Sequence, residues 1–170
     1  MQEYNKYSQI YIECVAEDVR TELEKRSIIS PDDNSLTIEK LKNIVKFFRG
    51  KLKKDSNSNH TYIKKEQNGF TIYYNEKSTY FNILHELGHA IFDLKDINIG
   101  DEMRCEGVSE EDTRAEIFAT CFAMSRNSFG KAIIKNTKNG ICDINKVAKL
   151  YDVDYTIILA RGEELNIWGR

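Results

Sequence analysis

Residues 79–94 read TYFNILHELGHAIFDL. The segment is apolar nearly all round, which predicts a helix buried on several sides. In its middle, three polar residues interrupt it: His85, Glu86 and His89. Residues i and i+4 of a helix share a face, with Cβ atoms about 5–6 Å apart. Two imidazoles so placed can converge on one Zn²⁺, whose bonds to nitrogen are about 2.0–2.1 Å. Glu86 is rotated by about 100° from His85, so it can approach the open side of such an ion without ligating it and take a proton from water. That is the mechanical content of H-E-x-x-H. Hydrogen-bonded core histidines are the plainer alternative, but three buried polar residues without partners would be costly, and one metal resolves all three. Gly88, a poor helix former, suggests that another backbone passes close to this helix.

A catalytic zinc takes three protein ligands plus water, so a third must come from elsewhere. His60, the remaining histidine, lies in a polar loop. The acid-rich start of SEEDTRAEIFATCFAMSR, residues 109–126, is better placed. There Asp112 and Glu116 share a face, being i and i+4, whereas Glu111 points elsewhere. Spacing alone does not choose between Asp112 and Glu116.

Working outward, Tyr7, Ile10, Tyr11, Cys14, Val15 and Val19 fall near helical spacing and predict an amphipathic helix over 3–26. SIISPDDNS, with Pro31, breaks it. A second helix is expected over 37–49, with Gly50 ending it and KKDSNSNH following as a polar loop. The period then changes. Thr61–Lys65 and Phe70–Tyr74 are rich in β-branched and aromatic residues and flank Asn68-Gly69, a strong hairpin signal because both residues tolerate positive φ. After an irregular stretch at 95–108, Ser109 is expected to cap the 109–126 helix. Short helices are expected near 129–135, 144–151 and 155–161. The pattern predicts an α+β domain, a small antiparallel sheet or hairpin packed on a helical bundle. Residues 1–126 would form the main domain and 127–170 a C-terminal helical extension packed on it.

The 170 residues, 41% hydrophobic and 31% charged with net charge −2, are enough for one domain with its own core. No apolar run approaches membrane-span length, and MQEYNKYSQIYIEC lacks the regions of a signal peptide. Cys14, Cys105, Cys121 and Cys142 are scattered and form no C-x-x-C pair. They read as buried free thiols in a reducing cytoplasm, with a redox or ligand role for Cys105 as the alternative. Residues 40–65 hold nine Lys/Arg against one acid, and 101–116 hold seven acids against two arginines. Both runs read first as solvated surface; docking of an acidic or nucleic-acid partner is the sharper reading of the basic one.

Three pieces together resemble the ImmA/IrrE-like zinc metallopeptidases. FNILHELGHAIFDL is similar to that family's buried helix, F-T-x-A-H-E-L-G-H, though many zincins share it. DTRAEIFATCFAMS resembles its second signature, E-x-x-A-x-x-F-A-x-x-L-L-M-P. INKVAKLYDVDYTIILARGEEL resembles its C-terminal helical stretch. The overlay sets Ala115, Phe118, Ala119 and Met124 on their counterparts and places the family's glutamate on Asp112. Aspartate is one methylene shorter and must bring its backbone nearer the metal. Glu116 is then the reserve ligand, with Glu111 behind it. Ser125 stands where the family has proline, and Ser78 and Tyr80 where arginines are common.

The resemblance implies a zincin-like fold, one Zn²⁺ held by His85, His89 and Asp112, and Glu86 as general base. It implies a cytoplasmic peptidase whose protein substrate is a helix-turn-helix repressor of a phage or mobile element. Tyr73, Tyr74 and Tyr80 lie near the motif, though each reads first as a packing residue. An exposed edge in FTIYYN would allow an extended substrate to add as a strand. A rival reading takes residues 144–165 as a DNA-binding helix-turn-helix beside a structural or vestigial metal site. Its recognition helix offers only Arg161 among three acids, so direct nucleic-acid binding is a poor fit. A non-catalytic partner-binding module is the third possibility, should Asp112 fail to complete the ligand set.

Overall fold

A computed structural model describes residues 8–103 and 109–168. Cys105 and the first seven residues, including Tyr7, lie outside the described residues. Helix α1 spans Gln9–Lys25, with the Ser8 hydroxyl accepting from the Tyr11 amide. Its buried stripe is Ile12, Ala16, Arg20 and Leu23, not the one the periodicity favoured. Ile10 and Tyr11 are exposed and Val15 and Val19 only partly covered. An arginine at the centre of the buried stripe is what misled the pattern. Arg20 Nη1 donates to the carbonyls of Phe122 and Ala123 at the end of a later helix, so its burial is hydrogen-bonded.

Helix α2, Ile38–Phe47, ends before Arg49, which takes the left-handed position at φ 62°. Gly50 therefore opens a strand, β1 (Gly50–Lys54), instead of closing the helix. β2 (Tyr62–Glu66) and β3 (Gly69–Tyr74) form the expected hairpin. Gln67 and Asn68 make its turn, and Gly69 alone has positive φ, at 128°. With β4 (Glu102–Met103) the sheet runs β1-β3-β2-β4. β1 pairs parallel to β3, so the sheet is mixed where a purely antiparallel one was expected. The sequence GKLKK has one apolar residue and no alternation, which is why β1 read as coil. β3 is consequently central, flanked on both sides, and FTIYYN offers no free edge for an extended partner.

Helix α3 (Tyr80–Phe92) starts with a reciprocal capping box between Thr79 and Asn82. It packs most extensively against α4 (Glu110–Ala123), capped by the Ser109 hydroxyl. Gly88 permits this: a Cβ there would sit 2.9 Å from Ala115 Cα. The close backbone suggested by a glycine in mid-helix is α4.

Helix α5 (Arg126–Lys135) is capped by Ser125, so the residue in the family's proline position has a local task. Between α5 and α6 (Ile144–Tyr151) lies a small hairpin, β5 (Thr137–Lys138) with β6 (Ile141–Cys142). Its turn is Asn139-Gly140, with both residues at positive φ. Helix α7 (Tyr155–Glu164) follows a left-handed Asp152. Phe118, Phe122, Phe129, Tyr151, Ile12 and Ile72 belong to one continuous core. Among the described residues no helix is long and apolar enough to cross a membrane.

Candidate metal centre

Helix α3 turns His85 and His89 to the same side, with their Nε2 atoms 3.2 Å apart. The first turn of α4 supplies Asp112, whose Oδ1 is 3.3 Å from His89 Nε2 and 3.7 Å from His85 Nε2. Around a tetrahedral ion with bonds of about 2.0–2.1 Å, donor atoms stand roughly 3.3–3.4 Å from one another. The three donors are therefore spaced close to what such an ion requires, with His85 and Asp112 the wider pair, and the imidazole-imidazole-carboxylate set suits it chemically. Among the described residues this is the one His/Cys/Asp/Glu group with metal-holding geometry.

The other two acids weighed as ligands lie elsewhere. Glu116 Oε2 sits 3.3 Å from His85 Nδ1, on the far side of that ring from the donor cluster. Glu111 lies 3.5 Å from Arg114 Nη2. His60 is not in the cluster either. It lines the same cleft as His85 and Glu86, a cavity of about 630 Å³ bounded by the loops before α3 and by residues 152–157.

Glu86 is buried, at 1% exposure, and borders the cleft beside His85. Burial disfavours the charged form of His85, but the Glu116 hydrogen bond and the charges of Glu86, Glu116 and Asp112 outweigh it and raise its pKa. His89 Nδ1 meets Asp93 Oδ2 at 2.9 Å, and Arg114 Nη2 donates to Asp93 Oδ1 at 2.7 Å. Burial would raise the Asp93 pKa; the bonds to His89 and Arg114 prevail and lower it.

Asp93 and Arg114 escaped the reading of the sequence. Asp93 was legible in principle, because it lies one turn beyond His89 on the same face. Arg114 was not, since only the crossing of α3 and α4 brings it there.

The tyrosines near the motif serve packing. The Tyr80 hydroxyl donates to the Tyr151 carbonyl, and Tyr73 stacks on Tyr62 with ring centroids 4.8 Å apart. Five of the nine cations of the basic run, Lys40, Lys42, Lys51, Lys54 and Lys64, lie within 4.0 Å of a carboxylate. Arg161, the cation on which DNA contact by α7 depended, is 1% exposed and bonds Glu13, Glu164 and the Met124 carbonyl. Cys14 is exposed, Cys142 partly so and Cys121 buried; burial pushes the Cys121 thiol up to about 12.

The model of the Peptidase_M78 family, the IrrE N-terminal-like domain, matches residues 45–162, well over half of the chain. The chain belongs to this metallopeptidase family. No curated protein and no solved structure matches it significantly. The Peptidase_M78 region begins inside α2 and reaches Gly162 in α7, so it takes in the sheet, both helices of the centre and the α6–α7 connection that borders the cleft.

Proposed function

We propose that the protein is a zinc-dependent endopeptidase in which His85, His89 and Asp112 hold the metal and Glu86 is the general base. The observation that carries this is the convergence of those three donors beside a buried carboxylate, with His85 and Glu86 bordering an open cleft. A bound Zn²⁺ supplies Lewis acidity, which polarises the scissile carbonyl and lowers the pKa of water toward about 7. Glu86 accepts the proton that water loses and delivers it to the leaving amine, so one carboxylate serves first as base and then as acid. The hydrogen bonds of Glu116 and Asp93 orient the two imidazoles, and the cleft receives the polypeptide.

Family membership supports a protein substrate. The resemblance of the second and third signatures extends the proposal to a helix-turn-helix repressor of a phage or mobile element, cleaved in the cytoplasm.

Purified protein should contain about one zinc per chain. Glu86→Gln should retain the metal and lower cleavage of a co-expressed repressor by about 10²–10⁴-fold. Cleavage at the unchanged rate would remove Glu86 from the mechanism.

A further inference from the structure

His89 is the more enclosed imidazole of the centre, with its side chain 2% exposed against 13% for His85. A neutral imidazole carries its proton on one nitrogen or the other, and only the bare nitrogen can ligate a metal. Its Nδ1 faces Asp93, and the carboxylate's second oxygen accepts from Arg114, two residues after Asp112 on α4. Asp93 and Arg114 are themselves 4% and 7% exposed.

We propose that Asp93 and Arg114 form a positioning latch, which fixes the His89 tautomer and ties the helix of the histidines to the helix of Asp112. The proposal rests on the metal-centre reading above.

An ionised carboxylate only accepts, so Asp93 requires hydrogen on Nδ1 and leaves the Nε2 lone pair facing His85 and Asp112. Arg114 keeps the buried carboxylate paired, and its planar guanidinium has little freedom to swing away. Because this cation stands on α4, the pair crosses the same seam as Gly88 and Ala115. It holds α4 in the register that brings the short Asp112 side chain to the histidines.

The carboxylate behind His85 offers a contrast. Glu116 has 63% of its side chain exposed and a longer contact of 3.3 Å, so water competes for the bond and its loss should matter less.

Zinc affinity, measured by competition with a chromophoric chelator, should fall about 10–100-fold in Asp93→Asn. Glu116→Gln should lose less. Arg114→Lys, which keeps the cation, should recover much of the affinity that Arg114→Met loses. Nitrogen–proton correlation spectra of the metal-free protein, recorded at a pH high enough that the His89 ring shows its neutral form, should show His89 as the Nδ1–H tautomer. They should show a tautomer mixture in Asp93→Asn. Circular dichroism of the metal-free variants separates these effects from loss of fold. If Asp93→Asn does not fold, Arg114→Lys against Arg114→Met decides.

An Nε2–H tautomer in the unmutated protein, or undiminished zinc affinity in folded Asp93→Asn, overturns the latch. Absence of zinc binding by the unmutated protein would overturn the metal-centre reading instead. The tautomer of His89 would still report on the latch by itself.

Discussion

Asp33 shows how much local order one carboxylate can hold. Its Oδ1 receives Lys40 Nζ, its Oδ2 receives the Ser30 amide at 2.8 Å, and its carbonyl accepts from the buried Arg20 at 2.9 Å. Burial alone would raise its pKa; the Lys40 and Ser30 hydrogen bonds and the charges of Lys40 and Arg20 outweigh this and hold it below the ordinary aspartate value. A group with a depressed folded pKa stabilises the fold above its unfolded pKa, and the contribution is lost as pH falls through the folded value. Asp33→Asn should therefore lower the unfolding free energy at neutral pH by about 0.5–1 kcal/mol, the usual scale for a partly exposed pair. The gap from the unmutated protein should close as pH drops below about 3.9. Urea titrations of both proteins at a series of pH values test this. A gap that stays constant down to acid pH would contradict it.

Between elements, the decisive contact is the crossing of α3 and α4. Its closeness comes from a glycine facing an alanine, and it sets the position of Asp112. Gly88→Ala would place a methyl 2.9 Å from the Ala115 Cα and 3.2 Å from its carbonyl oxygen. Backbone cannot rotate aside as a flexible side chain can, so the helices must separate. Overpacking of this kind costs about 1–3 kcal/mol. The variant should show that loss in chemical denaturation, and it should also bind zinc more weakly, because the donor atoms part along with the helices. The two hairpins teach a related lesson. Asn68-Gly69 does not form the predicted turn, which lies one residue earlier with Gly69 already paired to Glu66. Asn139-Gly140 has both residues at positive φ, yet its strands are two residues long and carry no pattern to announce them.

Across the whole molecule, two buried arginines close the far end of α4. Helix C-termini leave carbonyls without partners inside the helix. Arg20 from α1 takes those of Phe122 and Ala123, while Arg161 from α7 takes that of Met124 and pairs with Glu13 of α1. The first helix, the last helix and a helix of the metal centre thus meet at one point. Arg161→Met should remove about 1–3 kcal/mol by leaving the Met124 carbonyl without its buried donor, while Glu13 keeps its pairing with Arg126. Calorimetry should register a melting temperature lower by several degrees. Affinity for duplex DNA should not change, since the guanidinium is already enclosed. A salt-sensitive loss of DNA binding in this variant would revive the regulator reading.

The sequence by itself determined what depends on neighbours along the chain. His85, Glu86 and His89 share their geometry because one helical turn dictates it. The Ser109 cap and the 144–151 helix follow from local chemistry in the same way. Tertiary structure alone decided which acid meets the histidines, which face of α1 is buried, and that a lysine-rich strand pairs parallel to β3. A periodic pattern records only that a side chain needs cover. What supplies the cover is another segment, and its arrival, as with Arg114 against Asp93 or Arg20 against the end of α4, follows from close packing over the whole core.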